Sequence, residues 1–151
     1  MWLLRDRRVG KGLLDRIRIQ FVGHKENFGK RNCEIIDSIE EITRSNKECH
    51  VLVALSYGGR DEIVDAVNAA IREGSGHISK KSIEQRLYAP DVPFPDMIVR
   101  TGGEYRLSNF LMWQSAYSEL FFLDKFWPAI QAADIDRLRR EYQARDRKFG
   151  T

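Results

Sequence analysis

The chain has 151 residues, 42% hydrophobic and 31% charged, with 25 basic against 22 acidic side chains and a formal charge of +3. That is the size of one domain with a real core and an ordinary globular composition, and so slight a charge gives no argument for nucleic acid. No apolar run approaches a membrane span, and Met1-Trp2-Leu3-Leu4, stopped by Arg5-Asp6-Arg7-Arg8, is too short for a signal peptide, so a cytoplasmic protein is expected.

In chain order, residues Trp2 to Leu14 read as the last part of a helix. A doubly wound domain ordinarily opens on a strand whose first loop meets the ligand, so this fold reads as entered in its middle. The cluster Arg5, Arg7, Arg8 and Lys11 is taken as a solvated face or a frayed end, with attraction to phosphates or an anionic membrane as the alternative. Ile17–Val22 alternates as a first strand and stops at Gly23. Lys30–Arg44 carries Ile35, Ile36, Ile39 and Ile42 at helical spacing. Val51–Leu55 is a continuous apolar run, as expected for a strand covered on both faces.

Asp61–Arg72 repeats the helical pattern with Ile63, Val64, Val67 and Ile71, and Gly74-Ser75-Gly76 ends it. A shorter helix over Lys80–Leu87 is closed by Pro90. The loop Pro90–Pro95 then delivers the chain to a third strand, Met97–Val99. Ser108 or Asn109 is expected to cap a helix starting at Phe110. Ala133–Arg147 is a final charged helix whose inner face is Ile135, Leu138 and Tyr142. Alternating strands and helices predict an α/β fold, a parallel sheet with helices on both faces.

The most informative stretch follows the third strand. Gly102 and Gly103 let the backbone bend and approach a ligand closely. Arg100 and Arg106 bracket them, and each offers a planar fork of donors suited to phosphate. The alternative is that each arginine pairs with Asp96 or Glu104. Ser108 adds a hydroxyl, and a helix N-terminus at Phe110 would add its own preference for anions. Glu119 stands in apolar company, which is costly unless it is paired with a cation or bound to a metal. If diphosphate lies nearby, magnesium is natural, because it bridges carboxylate and phosphate oxygens.

Other features weigh less. Tyr57-Gly58-Gly59-Arg60 repeats the strand-end theme, but a tight turn with Arg60 in a salt bridge explains it as well. Trp113, Phe121, Phe122, Phe126 and Trp127 fill a core or a subunit contact, or line a greasy site. Cys33 and Cys49 are lone thiols, and His24, His50 and His77 fall in no metal or catalytic pattern. The chain has no Gly-x-x-x-x-Gly-Lys-Ser/Thr loop, no Gly-x-Ser-x-Gly elbow and no CxxC pair. Nucleotide hydrolysis, serine esterase chemistry and zinc sites are thereby disfavoured.

The stretch Asp96–Glu119 closely resembles the signature of the cis-prenyltransferases, the undecaprenyl diphosphate synthases and their relatives. The likeness continues through Leu120-Phe121-Phe122, Phe126-Trp127-Pro128 and Arg145–Gly150, and upstream through Ile17–Gly23 and Ala54–Val64. The resemblance implies an enzyme that condenses isopentenyl diphosphate in cis onto an allylic diphosphate such as farnesyl diphosphate, assisted by Mg²⁺. By that resemblance Arg100, Arg106 and Ser108 hold isopentenyl diphosphate, with Gly102, Gly103 and Leu107 in the same loop. Glu119 serves the magnesium site. The tail Arg147-Lys148-Phe149-Gly150 approaches the site across a dimer interface, in a homodimer or a heterodimer with a related synthase. A lipid product implies contact with a membrane surface.

The family's Asp-Gly-Asn-x-Arg-Trp-Ala and Phe-Ser-x-Glu-Asn-Trp-x-Arg segments have no counterpart among these 151 residues. No catalytic residue is therefore assigned. Residues 1–151 are expected to be the C-terminal portion of a single cis-prenyltransferase domain, truncated at its N-terminus and weak or inactive alone. The alternative is a non-catalytic partner subunit or remnant that dimerises with a complete synthase.

Overall fold

The computed structural model describes residues 15–145. The expected N-terminal helix end and the Arg147–Gly150 tail lie outside them. The chain divides into two compact units, Met1–Gly58 and Gly59–Thr151.

In the first unit, β1 (Ile17–Val22) and β2 (Cys49–Ala54) pair in parallel, from Ile17 opposite Cys49 to Val22 opposite Ala54. Helix α1 (Lys30–Thr43) connects them, a crossover that parallel pairing requires. Ile36 and Thr43 are seven residues apart, share one helix face and are buried. Side chains of α1 also satisfy the backbone of β1. Thr43 Oγ1 accepts from the Ile19 N–H at 3.0 Å, and Glu40 Oε1 accepts from the Phe21 N–H at 2.6 Å. Asn46 Nδ2 donates to the Ile17 carbonyl at 3.1 Å. The edge of β1 that faces away from β2 is thus occupied, which blunts it as a pairing template.

Strand β2 departs from expectation. Val51 and Leu52 are exposed instead of covered on both faces, because within this sheet β2 has one strand neighbour and α1 directs its contacts to β1. Ile42, counted in the α1 stripe, is also exposed. Of the two thiols, Cys33 is half-buried and Cys49 exposed.

The second unit holds α2 (Gly59–Arg72), the short α3 (Lys80–Glu84), β3 (Met97–Thr101), β4 (Glu119–Leu123) and α4 (Ala132–Gln143). Strands β3 and β4 are parallel, with Met97 opposite Glu119 and Thr101 opposite Leu123. Phe121 and Leu123 of β4 pack with Leu138 of α4 as a core, flanked by Met97, Ile130 and Tyr142. Parallel strands with helices are the α/β class expected, β1 and β2 being joined through α1 and β3 and β4 through a loop with a 3-10 helix.

Two features of this unit correct the expectations. The buried face of α2 is Glu62, Ala66 and Ala70, while Val64 and Ile71 are exposed. The small Ala66 and Ala70 allow close approach, and the larger aliphatics Val64 and Ile71 lie elsewhere on the helix. No helix begins at Phe110. Ser108, Asn109 and Leu111 take left-handed backbone, with φ of 48°, 65° and 47°, which a right-handed helix cannot accommodate. The aromatic stretch instead forms a 3-10 helix at Gln114–Tyr117 and then β4.

Candidate functional site

Strand β3 buries Ile98 and brings Arg100 to its C-terminal end. The chain then turns through Gly102 and Gly103, both left-handed at φ of 94° and 74°. A Cβ on Gly102 would meet only the Phe126 ring at 3.7 Å, so glycine is required there by conformation and not by crowding. The turn is tied to the exit of β4, because the Gly102 N–H donates to the Lys125 carbonyl at 2.9 Å and the Gly103 N–H to the Leu123 carbonyl at 3.0 Å. Tyr105 adds a side-chain tether, its hydroxyl donating to Asp124 at 3.1 Å. That hydrogen bond, with the Asp124 charge, pushes the phenol's pKa upward.

Within this frame Arg100 Nη1 donates to Ser108 Oγ at 2.9 Å and to the backbone carbonyl of Arg106. Arg106 forms an ion pair with Glu104 through its guanidinium, which realises for Arg106 the pairing weighed as the alternative. Arg100 is thus held at the end of β3 by Ser108 and the Arg106 backbone, while the Arg106 guanidinium is turned to Glu104. A depression of about 280 Å³ opens beside them, lined by Ile98, Val99, Arg100, Thr101, Leu107 and Phe110. One wall is cationic and the others are mainly apolar. Such a site suits a small anion carrying a short hydrocarbon group.

Glu119 does not join this cluster. It is the first residue of β4 and stands opposite Met97, whereas Arg100 stands opposite Phe122. Three residues of strand separate the two levels, about 10 Å at the usual rise. The Glu119 carboxylate accepts from Arg145, whose guanidinium lies over the Phe121 ring at 4.1 Å. Among the described residues, no three His, Cys, Asp or Glu side chains come together as a metal site.

Two residues hold the loop from behind: Asn109, expected as a cap elsewhere, and Glu62, passed over in the sequence. Asn109 accepts twice from the start of α2: its carbonyl from the Gly59 N–H at 2.7 Å, and its Oδ1 from the Arg60 N–H at 2.9 Å. The expected cap of a helix at Phe110 is not formed, and Asn109 instead caps a helix that begins fifty residues earlier in the chain. Gly59 itself leaves no space, since a Cβ would sit 2.8 Å from the Met112 backbone nitrogen. Its role is close packing of the loop and not approach to phosphate.

The second residue is Glu62, which is 2% exposed. Its Oε1 accepts from the Tyr88 N–H and its Oε2 from Gln114 Nε2, each at 2.9 Å. The sequence signal for it was an acid at the head of the Ala66 and Ala70 stripe. The aromatics divide: Phe121 is core, Trp113 donates to Glu84 at 3.3 Å, and Phe126 and Trp127 are exposed.

Residues 3–150 match the family model described as "Putative undecaprenyl diphosphate synthase". The chain is 41% identical to an isoprenyl transferase of Thermotoga maritima, over 90% of the chain and 60% of that protein. It is 42% identical to a tritrans,polycis-undecaprenyl-diphosphate synthase (geranylgeranyl-diphosphate specific) of Pyrococcus furiosus, over 98% of the chain and 57% of that protein. In three dimensions it is similar to a "probable undecaprenyl diphosphate synthase" from Campylobacter jejuni, with a TM-score of 0.84 and 31% identity. That likeness covers 93% of the chain and 66% of the other. The chain thus spans a little over half the length of the curated relatives it matches.

Proposed function

Because the chain belongs to the undecaprenyl diphosphate synthase family of prenyltransferases, we propose that it serves cis-prenyl chain elongation and that its β3 loop holds isopentenyl diphosphate. The observation that carries this reading is Arg100, which lines the depression at the end of β3 and is held there by the Ser108 hydroxyl and the Arg106 carbonyl. The guanidinium and hydroxyl take the diphosphate, and Ile98, Val99, Leu107 and Phe110 meet the five-carbon group. Gly102 and Gly103 bring the backbone close to the phosphates.

In the proposed reaction the double bond of isopentenyl diphosphate forms the new carbon–carbon bond to the allylic carbon of a substrate such as farnesyl diphosphate. The allylic diphosphate leaves with the bonding electron pair, and the isopentenyl unit loses a proton. The part proposed for this chain's residues is positioning, since a fixed diphosphate holds the attacking double bond near its target. Arg106 would exchange its Glu104 partner for phosphate.

Mg²⁺ is the cofactor proposed. A lone carboxylate fits its chemistry, because Mg²⁺ uses one or two carboxylates and completes its shell with phosphate oxygens and water. Glu119, released from Arg145, would supply that carboxylate, and the ion would neutralise diphosphate charge.

Calorimetric titration of isopentenyl diphosphate into the chain tests the reading. Saturable binding that weakens ~10-fold or more in Arg100→Ala is expected, as a charge-assisted hydrogen bond to phosphate contributes about 1.5–3 kcal/mol. Equal affinity in the variant would remove the assignment. With radiolabelled isopentenyl diphosphate, farnesyl diphosphate and Mg²⁺, these 151 residues alone should give little elongation, since they contain no Asp-Gly-Asn segment. Robust turnover would show that segment to be dispensable.

The alternative proposed is a non-catalytic subunit paired with a complete synthase. Its mark would be co-purification with such a synthase, and failure to associate in a pull-down would count against it.

A further inference from the structure

We propose that Asn109 is a positioning residue for the diphosphate site, acting through the first turn of α2. The inference rests on the reading of the β3 loop as the diphosphate site and names what fixes that loop's shape. Ser108, Asn109 and Leu111 all lie in left-handed backbone, a conformation that costs an L-residue other than glycine about 1–2 kcal/mol and persists only where the surroundings enforce it. Asparagine tolerates it better than most residues do.

The enforcing contacts are on α2. The first N–H groups of a helix have no partner inside it. Here the Gly59 and Arg60 N–H groups are both satisfied by Asn109, through its carbonyl at 2.7 Å and its Oδ1 at 2.9 Å. Gly59 brings the helix start against Met112 more closely than any side chain would permit. One turn further along α2, Glu62 holds Gln114 at 2.9 Å. The segment after Ser108 is therefore gripped at residues 109, 112 and 114 by residues 59, 60 and 62. Ser108 Oγ, which accepts from Arg100 at 2.9 Å, is attached directly to the gripped residue. Losing the side-chain grip frees the Ser108 hydroxyl and the Arg100 guanidinium to drift from the geometry that meets phosphate.

The test compares wild type, Asn109→Ala, Asn109→Gly and Asn109→Asp as the full 151-residue chain. Each is measured for isopentenyl diphosphate affinity by calorimetry, for Arg60 amide exchange by NMR and for thermal unfolding. Asn109→Gly keeps the left-handed backbone without strain and removes the side chain that carries Oδ1, so it reads the side-chain grip even if Asn109→Ala folds poorly. Asn109→Asp keeps the acceptor. The expected result is ~10-fold weaker binding and faster Arg60 exchange in Asn109→Gly, with thermal unfolding little changed and exchange protection restored in Asn109→Asp. Unchanged affinity in Asn109→Gly, beside normal wild-type binding, overturns the inference and leaves the diphosphate reading standing. A wild type that does not bind overturns the diphosphate reading itself, and the inference with it.

Discussion

Glu62 and Gly102 are sensitive positions of the second unit, for opposite reasons. Glu62 is buried and satisfies two donors, the Tyr88 N–H and the Gln114 amide. Glu62→Ala strands both and should destabilise by about 3 kcal/mol, since an unsatisfied buried donor costs about 1–3 kcal/mol. Glu62→Gln should cost less. Gln114 Oε1 lacks a hydrogen-bond partner, and turning the Gln114 amide would let that oxygen accept from the new amide while the Tyr88 contact survives. Chemical denaturation of the two variants checks the order, and equal losses would contradict it. At Gly102 the cost lies in the backbone. Gly102→Ala meets no close atom, yet a left-handed alanine costs about 1–2 kcal/mol. Thermal unfolding should show a loss of that size.

Among the elements, α4 gives a pH dependence with a defined sign. Asp134, in its first turn, accepts from Lys125 Nζ at 2.7 and 2.9 Å and from the Gln131 N–H at 3.0 Å. The Lys125 hydrogen bond above all, then the Gln131 N–H, hold its carboxyl below the usual 3.8. A depressed folded-state pKa contributes stability that is fully present above the unfolded value and is lost as pH falls through the folded value. Wild type should therefore lose more stability than Asp134→Asn between about pH 5 and pH 2, as urea midpoints would show. Identical slopes would refute the pairing.

Legibility in the sequence followed the range of each interaction. Strands β1 and β3 and the spans of α1, α2 and α4 were legible because strand and helix patterns are local, although Ile135, expected on the inner face of α4, is exposed. The Arg100–Ser108 cluster was legible because it lies on one short loop. The absence of a helix at Phe110 was not, because its cause is left-handed backbone held by α2, about fifty residues away in the chain. The same distance hid the true partner of Asn109. Strand β4 was masked by an aromatic run, which periodicity alone does not sort into helix or strand. The α2 stripe was misplaced because alanines pack closely while carrying little hydrophobic signal.

For the molecule as a whole, the surface carries large aromatics that a monomer gains nothing by exposing. Phe126 and Trp127 are 73% and 75% exposed and adjacent in the chain, in the segment whose Lys125 carbonyl fastens the Gly102 turn. A formal charge of +3 on 151 residues offers little long-range repulsion between copies. Contiguous exposed apolar surface is what association buries, so this aromatic pair is where self-association is predicted, such as the homodimer that the family resemblance implies. Sedimentation velocity should show a concentration-dependent shift above monomer mass, and Trp127→Lys should abolish it by placing a charge where the contact desolvates. Because Trp127 is highly exposed and is not part of the packed Phe121, Leu123 and Leu138 cluster, the variant should keep the wild-type unfolding midpoint at dilutions where both are monomeric. A chain that stays monomeric at every concentration would assign Phe126 and Trp127 to a different partner, and Trp127→Lys would then weaken co-purification with a complete synthase instead.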